Sequence, residues 1–156
     1  MKMLYVKKLH KNAVIPKYQH KGDVGFDLSS VEDYNIKPGE SQMVKTGLSI
    51  KLPYGYEMTV RQRSGLSITY PNYIMIGIGT VDTDYIGEIM IPIINNRRDD
   101  KNFVIKIGDR IAQGIISPVL ILEIYEVDEL VPTDKGFMIT KNSTKRGTSG
   151  FGSTGL

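Results

Sequence analysis

Apolar and polar residues alternate with a period of two along much of this chain. Leu48, Ile50 and Leu52 alternate with Ser49 and Lys51, and Tyr56, Met58 and Val60 alternate with Glu57, Thr59 and Arg61. The same period recurs at Phe103, Ile105 and Ile107, and more loosely over residues 3–9. Successive side chains of a strand face opposite ways, so this period predicts half-buried β-strands. Turn residues punctuate them, at Pro38-Gly39, at Pro53-Tyr54-Gly55 and in the polar run 95–102. Residues 22–28 lead into a further strand in which Asp27 stands between apolar neighbours and therefore needs a hydrogen-bonding or charged partner. No window of a dozen residues keeps a 3.6-residue period, apart from a short helical turn expected after Ser64. The fold is thus expected to be all-β, a sandwich or barrel of many short strands. Residues 119–127 open with Val119, Leu120, Ile121 and Leu122 in succession. That run predicts a strand covered on both faces, which in so small a chain points to a subunit interface.

One stretch departs from plain alternation. Residues 77–90 read Gly-Ile-Gly-Thr-Val-Asp-Thr-Asp-Tyr-Ile-Gly-Glu-Ile-Met, with apolar shoulders over 74–78 and 89–94. The pattern predicts a hairpin that carries Asp82, Asp84 and Tyr85 at its tip. Glycine allows backbone to approach a ligand closely, and a carboxylate at such a tip can take a proton from water or lie near a metal. An ordinary solvated turn also fits, because turns favour Asp and Gly.

Composition narrows the choices. With 156 residues the chain is expected to form one domain, and its net charge of +3 suits an anionic small ligand better than a nucleic-acid-coating surface. There is no cysteine, which excludes disulfides and thiolate metal sites. His10 and His20 are too few and too poorly spaced for zinc and are expected to be solvated. No apolar run reaches membrane-spanning length, so the expectation is a soluble protein of the cytoplasm, or of the nucleus or host-cell interior for a eukaryotic or viral gene. The tail pattern Gly150-x-Gly152-x-x-Gly155 spells a dinucleotide fingerprint, yet Leu156 ends the sequence where a helix would have to follow, so the match is discarded.

Four more segments accompany the hairpin in order. They are Val24-Gly25-Phe26-Asp27-Leu28, Arg63-Ser64-Gly65-Leu66-Ser67, Gly108-Asp109-Arg110-Ile111-Ala112-Gln113, and the Gly-rich run 146–155 that begins with Arg146 and contains Phe151 and Gly152. Together with the hairpin they closely resemble the five motifs of the homotrimeric dUTP pyrophosphatases, the dUTPases, from about Gly22 onward. The resemblance implies a distorted jelly-roll-like β-barrel, a homotrimer with a flexible C-terminal tail, and hydrolysis of dUTP to dUMP and pyrophosphate by water attack on the α-phosphorus. Such an activity keeps uracil out of DNA and supplies dUMP.

The resemblance also implies roles. Asp82 would be the general base and Asp84 a brace for the turn. Tyr85 would pack against the deoxyribose and leave no room for a 2′-hydroxyl. Ile76, Gly77, Gly79, Thr80, Val81 and Met90 would line the uracil pocket, where backbone groups read the base. Arg63, Ser64, Gly65 and Gln113 would contact phosphate oxygens, and Asp27 would orient the arginine or a metal-bound water. Mg²⁺ is expected on the triphosphate with no direct protein ligand. Arg146, Phe151 and Gly152 would clamp phosphates and stack on the base, with the tail reaching over from a neighbouring subunit. On this reading residues 1–134 form the barrel, 135–145 a linker and 146–156 a closing arm.

Three departures from the family pattern, Gln62 for proline, Phe26 for tyrosine and Ser149 for glycine, remove no reactive group. The link 134–145 is longer than usual, which makes it either an extra surface loop or a patch for a protein partner. Two other functions fit parts of the chain: dCTP deamination, whose enzymes lack the Gly-rich closing motif, and a regulatory role through 134–145.

Overall fold

A computed structural model describes residues 3–124 and residue 126. The chain divides into two units, Met1–Ile121 and Leu122–Leu156; every strand and the helix below belong to the first, and of the second only residues 122–124 and 126 are described. Eleven strands and one short helix occur among the described residues. The period-two segments become β1 (Tyr5–Lys8), β5 (Leu48–Lys51), β6 (Tyr56–Arg61) and β10 (Phe103–Ile105). The segment led by Gly25 is β2 (Gly25–Ser29), and the single turn and a half of helix, α1, runs Ser64–Thr69. The remaining strands are β3 (Tyr34–Ile36), β4 (Ser41–Lys45), β7 (Ile74–Ile76), β8 (Gly79–Val81), β9 (Met90–Asn95) and β11 (Arg110–Pro118).

All pairings are antiparallel. The largest sheet has the order β2-β11-β6-β8, a second runs β4-β9-β7, and two pairs, β1-β5 and β10-β3, complete a jelly-roll-like fold. Side chains from the inner faces meet in a core that includes Leu28, Leu48, Ile50, Met58, Ile91 and Ile93, each fully buried. Burying apolar area at about 25 cal/mol per Å² is the main term that holds such sheets together. Packing is tight at the centre of β11. A Cβ at Gly114 would lie 2.7 Å from Phe26 Cε2 and 3.0 Å from Met58 Sδ, so the Phe26 ring occupies the room that a larger residue there would need.

The structure differs from the sequence expectation in three places. The stretch after Ile74 does not form one continuous hairpin. β7 pairs with β9, with Ile76 opposite Ile93, but β8 crosses to the other sheet and pairs with β6, with Val81 opposite Met58. The crossing falls at Gly77, whose N–H donates to Pro92 O at 2.9 Å and whose added Cβ would strike Pro92 Cγ at 2.6 Å. Residues 119–124 form no strand, contrary to expectation, and Leu120 and Ile124 are 82% and 96% exposed. The physical reason lies in the partner strand. Pro118 pairs with Tyr56, the first residue of β6, and one more bond follows, from the Val119 N–H to Gly55 O at 2.9 Å, before the partner chain turns away at Pro53-Tyr54-Gly55 and the ladder ends. Finally, Asn95, placed at the start of a polar loop, closes β9 and is fully buried, donating from Nδ2 to Ile36 O at 2.9 Å. No helix among the described residues is long and apolar enough to cross a membrane.

Candidate active site

The residues expected to hold phosphate converge on one cleft of about 480 Å³. β2 brings Asp27 to it, β11 brings Arg110 and Gln113, and the entry to α1 brings Arg63, Ser64 and Gly65. The antiparallel register that sets Gln113 opposite both Asp27 and Arg61 is what gathers residues so distant in sequence. Asp27 finds the partner its apolar neighbours required, and in fact two. Arg63 Nε donates to Oδ1 at 2.7 Å and Arg110 Nη1 donates to Oδ2 at 3.2 Å. One carboxylate therefore holds two guanidiniums, leaving a net positive charge at the cleft wall from these three groups. Arg63 is further tied by Nη1 to Arg110 O at 3.2 Å, so its fork is preorganised. Gln113 donates from Nε2 to Gln62 O at 2.9 Å, and Gln62 Oε1 accepts from the Ile76 N–H at 3.2 Å. Gln62, which departs from the family's proline, thus links the phosphate segment to β7.

The lip of the cleft is a closed turn. Asp23 Oδ2 accepts from the N–H groups of Gln19 at 3.0 Å and His20 at 2.8 Å, and the Tyr18 ring packs edge-on against buried Phe26 at 5.7 Å. His20 is exposed, as expected of a solvated histidine, and lines this cleft.

The acid-bearing tip is built differently. Asp82 and Asp84 are exposed, and the Tyr85 N–H donates to Asp82 O at 3.2 Å to close the turn. Side chains and backbone from neighbouring segments pin it. Lys51 Nζ donates to Thr83 O at 3.0 Å, Ser49 Oγ to Ile86 O at 2.8 Å, and Thr83 Oγ1 to Tyr56 O at 2.7 Å. The Gly47 N–H donates to Glu88 Oε1 at 2.8 Å. A tip fixed at so many points keeps its carboxylates in one place.

Ile76 and Val81 are buried, Gly77 and Gly79 are half-buried, and Thr80 and Met90 are exposed. Of the two glycines only Gly77 is crowded, by Pro92, whereas a Cβ at Gly79 would find its nearest neighbour at an ordinary 3.7 Å. Asp82 lines a separate pocket of about 510 Å³ with Tyr54, Tyr56 and Glu57, and this pocket shares no residue with the cleft of Arg63. Among the described residues, then, Arg63, Ser64, Gly65 and Gln113 line one cleft and Asp82 lines another. Arg146, Phe151, Gly152 and the link 134–145 lie outside the described residues. Arg110 joins the cleft without a role expected from the sequence; the signal for it was Asp27, an acid flanked by apolar residues with an arginine on the strand paired to its own.

No group of three or more His, Asp or Glu side chains among the described residues could cage a metal ion. Asp27 has one oxygen committed to each arginine, so the donor set suits a cation that arrives already coordinated by phosphate and not one held by carboxylates.

A family model described as dUTPase matches residues 11–155. The deoxyuridine 5′-triphosphate nucleotidohydrolase of Nautilia profundicola is 45% identical over 152 residues, covering 97% of this chain and 98% of the relative. That of Helicobacter pylori is 42% identical over 151 residues, covering 97% and 95%. Among solved structures, a variant of the Staphylococcus bacteriophage 80alpha dUTPase with dUpNHpp superposes with a TM-score of 0.80 at 30% identity, covering 99% of each chain. The dUTPase of phage phi11 of S. aureus, described with a structural Mg(II) ion, has a TM-score of 0.74 at 28% identity, over 81% of this chain and 97% of that one. On the family match, the identities and the shared fold, this chain belongs to the dUTPase family.

Proposed function

We propose that this protein hydrolyses dUTP to dUMP and pyrophosphate, with Asp82 as the general base. The observation that carries the reading is the Arg63–Asp27–Arg110 cluster, which faces a cleft shared with Ser64, Gly65 and Gln113. A paired carboxylate holds the Arg63 fork in the orientation that bidentate binding of phosphate oxygens requires. Asp82 takes a proton from water as its oxygen attacks the α-phosphorus, a contribution of about 10²- to 10⁴-fold in rate. The bond from the α-phosphorus to its bridging oxygen breaks, and pyrophosphate leaves. Mg²⁺ brought in on the triphosphate would supply charge neutralisation at the phosphate oxygens beside the Arg63–Asp27–Arg110 wall. Tyr85 lies against the deoxyribose, backbone around Gly77–Val81 reads uracil, and Arg146, Phe151 and Gly152 close the site from another subunit.

The working unit is a homotrimer. Cleft and acid-bearing tip share no lining residue within one chain, so a complete site joins the cleft of one copy to the tip of another. The exposed apolar side chains of Leu120, Ile121 and Leu122 supply surface that a subunit contact would cover. The substrate is a nucleotide of the cell interior, which supports a site of action in the cytoplasm, or in the nucleus or host-cell interior for a eukaryotic or viral gene. Pyrophosphate release measured with Mg²⁺ on a panel of dUTP, UTP, dTTP and dCTP tests the activity. Release from dUTP alone is expected, and equal turnover of all four would overturn it.

A further inference from the structure

We propose that Gly87 is a specificity-determining residue: it provides the seat on which the Tyr85 ring rests, and so sets how strictly ribonucleotides are refused. The inference rests on the reading of Tyr85 as the group that lies against the deoxyribose.

Tyr85 Oη donates to Glu88 O at 2.9 Å, which folds the ring back across the turn and over Gly87. A Cβ at Gly87 would lie 3.0 Å from Tyr85 Cε2 and closer still to Cζ and Oη, distances that real Cβ atoms do not tolerate. Gly87 is not among the positive-φ glycines, so its backbone accepts alanine without strain. What the position demands is the missing side chain, not the conformational freedom of glycine.

Either the turn or the ring must move to admit a Cβ, and the structure says which. The turn is held on both sides of Gly87, by Ser49 Oγ to Ile86 O at 2.8 Å and by the Gly47 N–H to Glu88 Oε1 at 2.8 Å. Just beyond, the Ile89 N–H donates to Leu48 O at 2.8 Å. The ring has one hydrogen bond of its own, and Tyr85 is 43% exposed. A Cβ therefore displaces the ring into solvent and leaves the turn in place. A wall excludes an added hydroxyl only while it cannot relax, and the displaced ring no longer forms that wall.

The test compares kcat/KM for dUTP and UTP, with Mg²⁺, in the intact protein and in Gly87→Ala, Tyr85→Phe and Tyr85→Ala. Gly87→Ala is expected to raise the UTP-to-dUTP ratio by about 10-fold or more. Tyr85→Phe, which breaks the bond to Glu88 O without crowding the seat, should raise it by less. The double variant Gly87→Ala/Tyr85→Ala should be no more permissive than Tyr85→Ala, because both act through one ring. An unchanged ratio in Gly87→Ala beside a raised ratio in Tyr85→Ala would overturn the role of Gly87 and leave the sugar reading standing. An unchanged ratio in both would overturn the sugar reading itself. Should Gly87→Ala fail to unfold cooperatively, Tyr85→Phe carries the test, and a wild-type ratio there would count against the seat.

Discussion

At Asp27 a single carboxylate is divided between two guanidiniums, and that division makes it sensitive to removal of charge. Asp27→Asn keeps the shape but cannot accept two charge-assisted bonds, so Arg63 and Arg110 are left as like charges that separate. Misplacing a phosphate-binding fork by an ångström costs on the order of 10²-fold in kcat/KM, and steady-state kinetics of Asp27→Asn with dUTP are expected to show a loss of that order. Asp82→Asn should behave differently. It removes the proton acceptor and nothing that grips substrate, so kcat should fall by about 10²- to 10⁴-fold while nucleotide affinity, read by calorimetry with a non-hydrolysable analogue, is retained. A rate near wild type would end the assignment of the base. The contrast between the two variants separates placement of the triphosphate from activation of water.

Among the elements, what could be read from the chain was what local period encodes. β5, β6 and β10 stand where Leu48, Tyr56 and Phe103 begin their alternation, and α1 stands after Ser64. Pairing is not a local property. The apolar shoulders of residues 74–94 suggested a simple hairpin because nothing in them says that Gly79–Val81 will pair with β6, some twenty residues earlier. β11 escaped notice because Ala112, Gln113 and Gly114 interrupt its apolar run, although Gly114 is required there by the Phe26 ring. Gly114→Ala is accordingly expected to destabilise the fold by about 1–3 kcal/mol in denaturant titration, the usual cost of overpacking a filled core. The cleft was legible as residue types in order, through the motifs that supply Asp27, Arg63, Ser64, Gly65 and Gln113. Its geometry was not, since the bond from Arg110 to Asp27 and the tethers of Lys51 and Ser49 depend on which strands end side by side. The loop after β9 adds a pH effect. Arg97 grips Asp99 with two bonds of 2.6 Å and lowers its carboxyl from 3.8 to about 2. A pKa depressed in the folded state adds stability above the unfolded value, and that stability is lost as pH falls toward about 2. Asp33 is lowered in the same sense by its bonds to Lys106 and the Ile107 N–H. Thermal midpoints should therefore drop between pH 4 and 2, and Asp99→Asn should make that drop shallower. A midpoint equally steep in Asp99→Asn would remove Asp99 from the account.

For the whole molecule, the separation of the cleft from the acid-bearing tip is the fact with the largest consequence. On the proposed trimer, the Arg63 cleft and the Asp82 tip, which line different pockets of one chain, meet across a subunit boundary. Two variants that are each inactive then become partners. A trimer built solely of Asp82→Asn chains lacks every base, and one built solely of Arg63→Ala chains lacks every phosphate fork. In a mixed trimer, a site that takes its tip from an Arg63→Ala chain and its cleft from an Asp82→Asn chain has both groups intact. Random assembly from equal amounts gives roughly a quarter of all sites this composition, so co-expression should restore roughly a quarter of wild-type pyrophosphate release from dUTP. Sites completed within a single chain would give none, because every chain in the mixture carries one lesion. The same dependence on assembly should make the thermal midpoint rise with protein concentration, since association stabilises the folded copies by mass action. Recovered activity with a concentration-dependent midpoint would establish the shared site. A mixture as inactive as its components would return Asp82 and Arg63 to one chain and require a rearrangement that brings the tip to its own cleft.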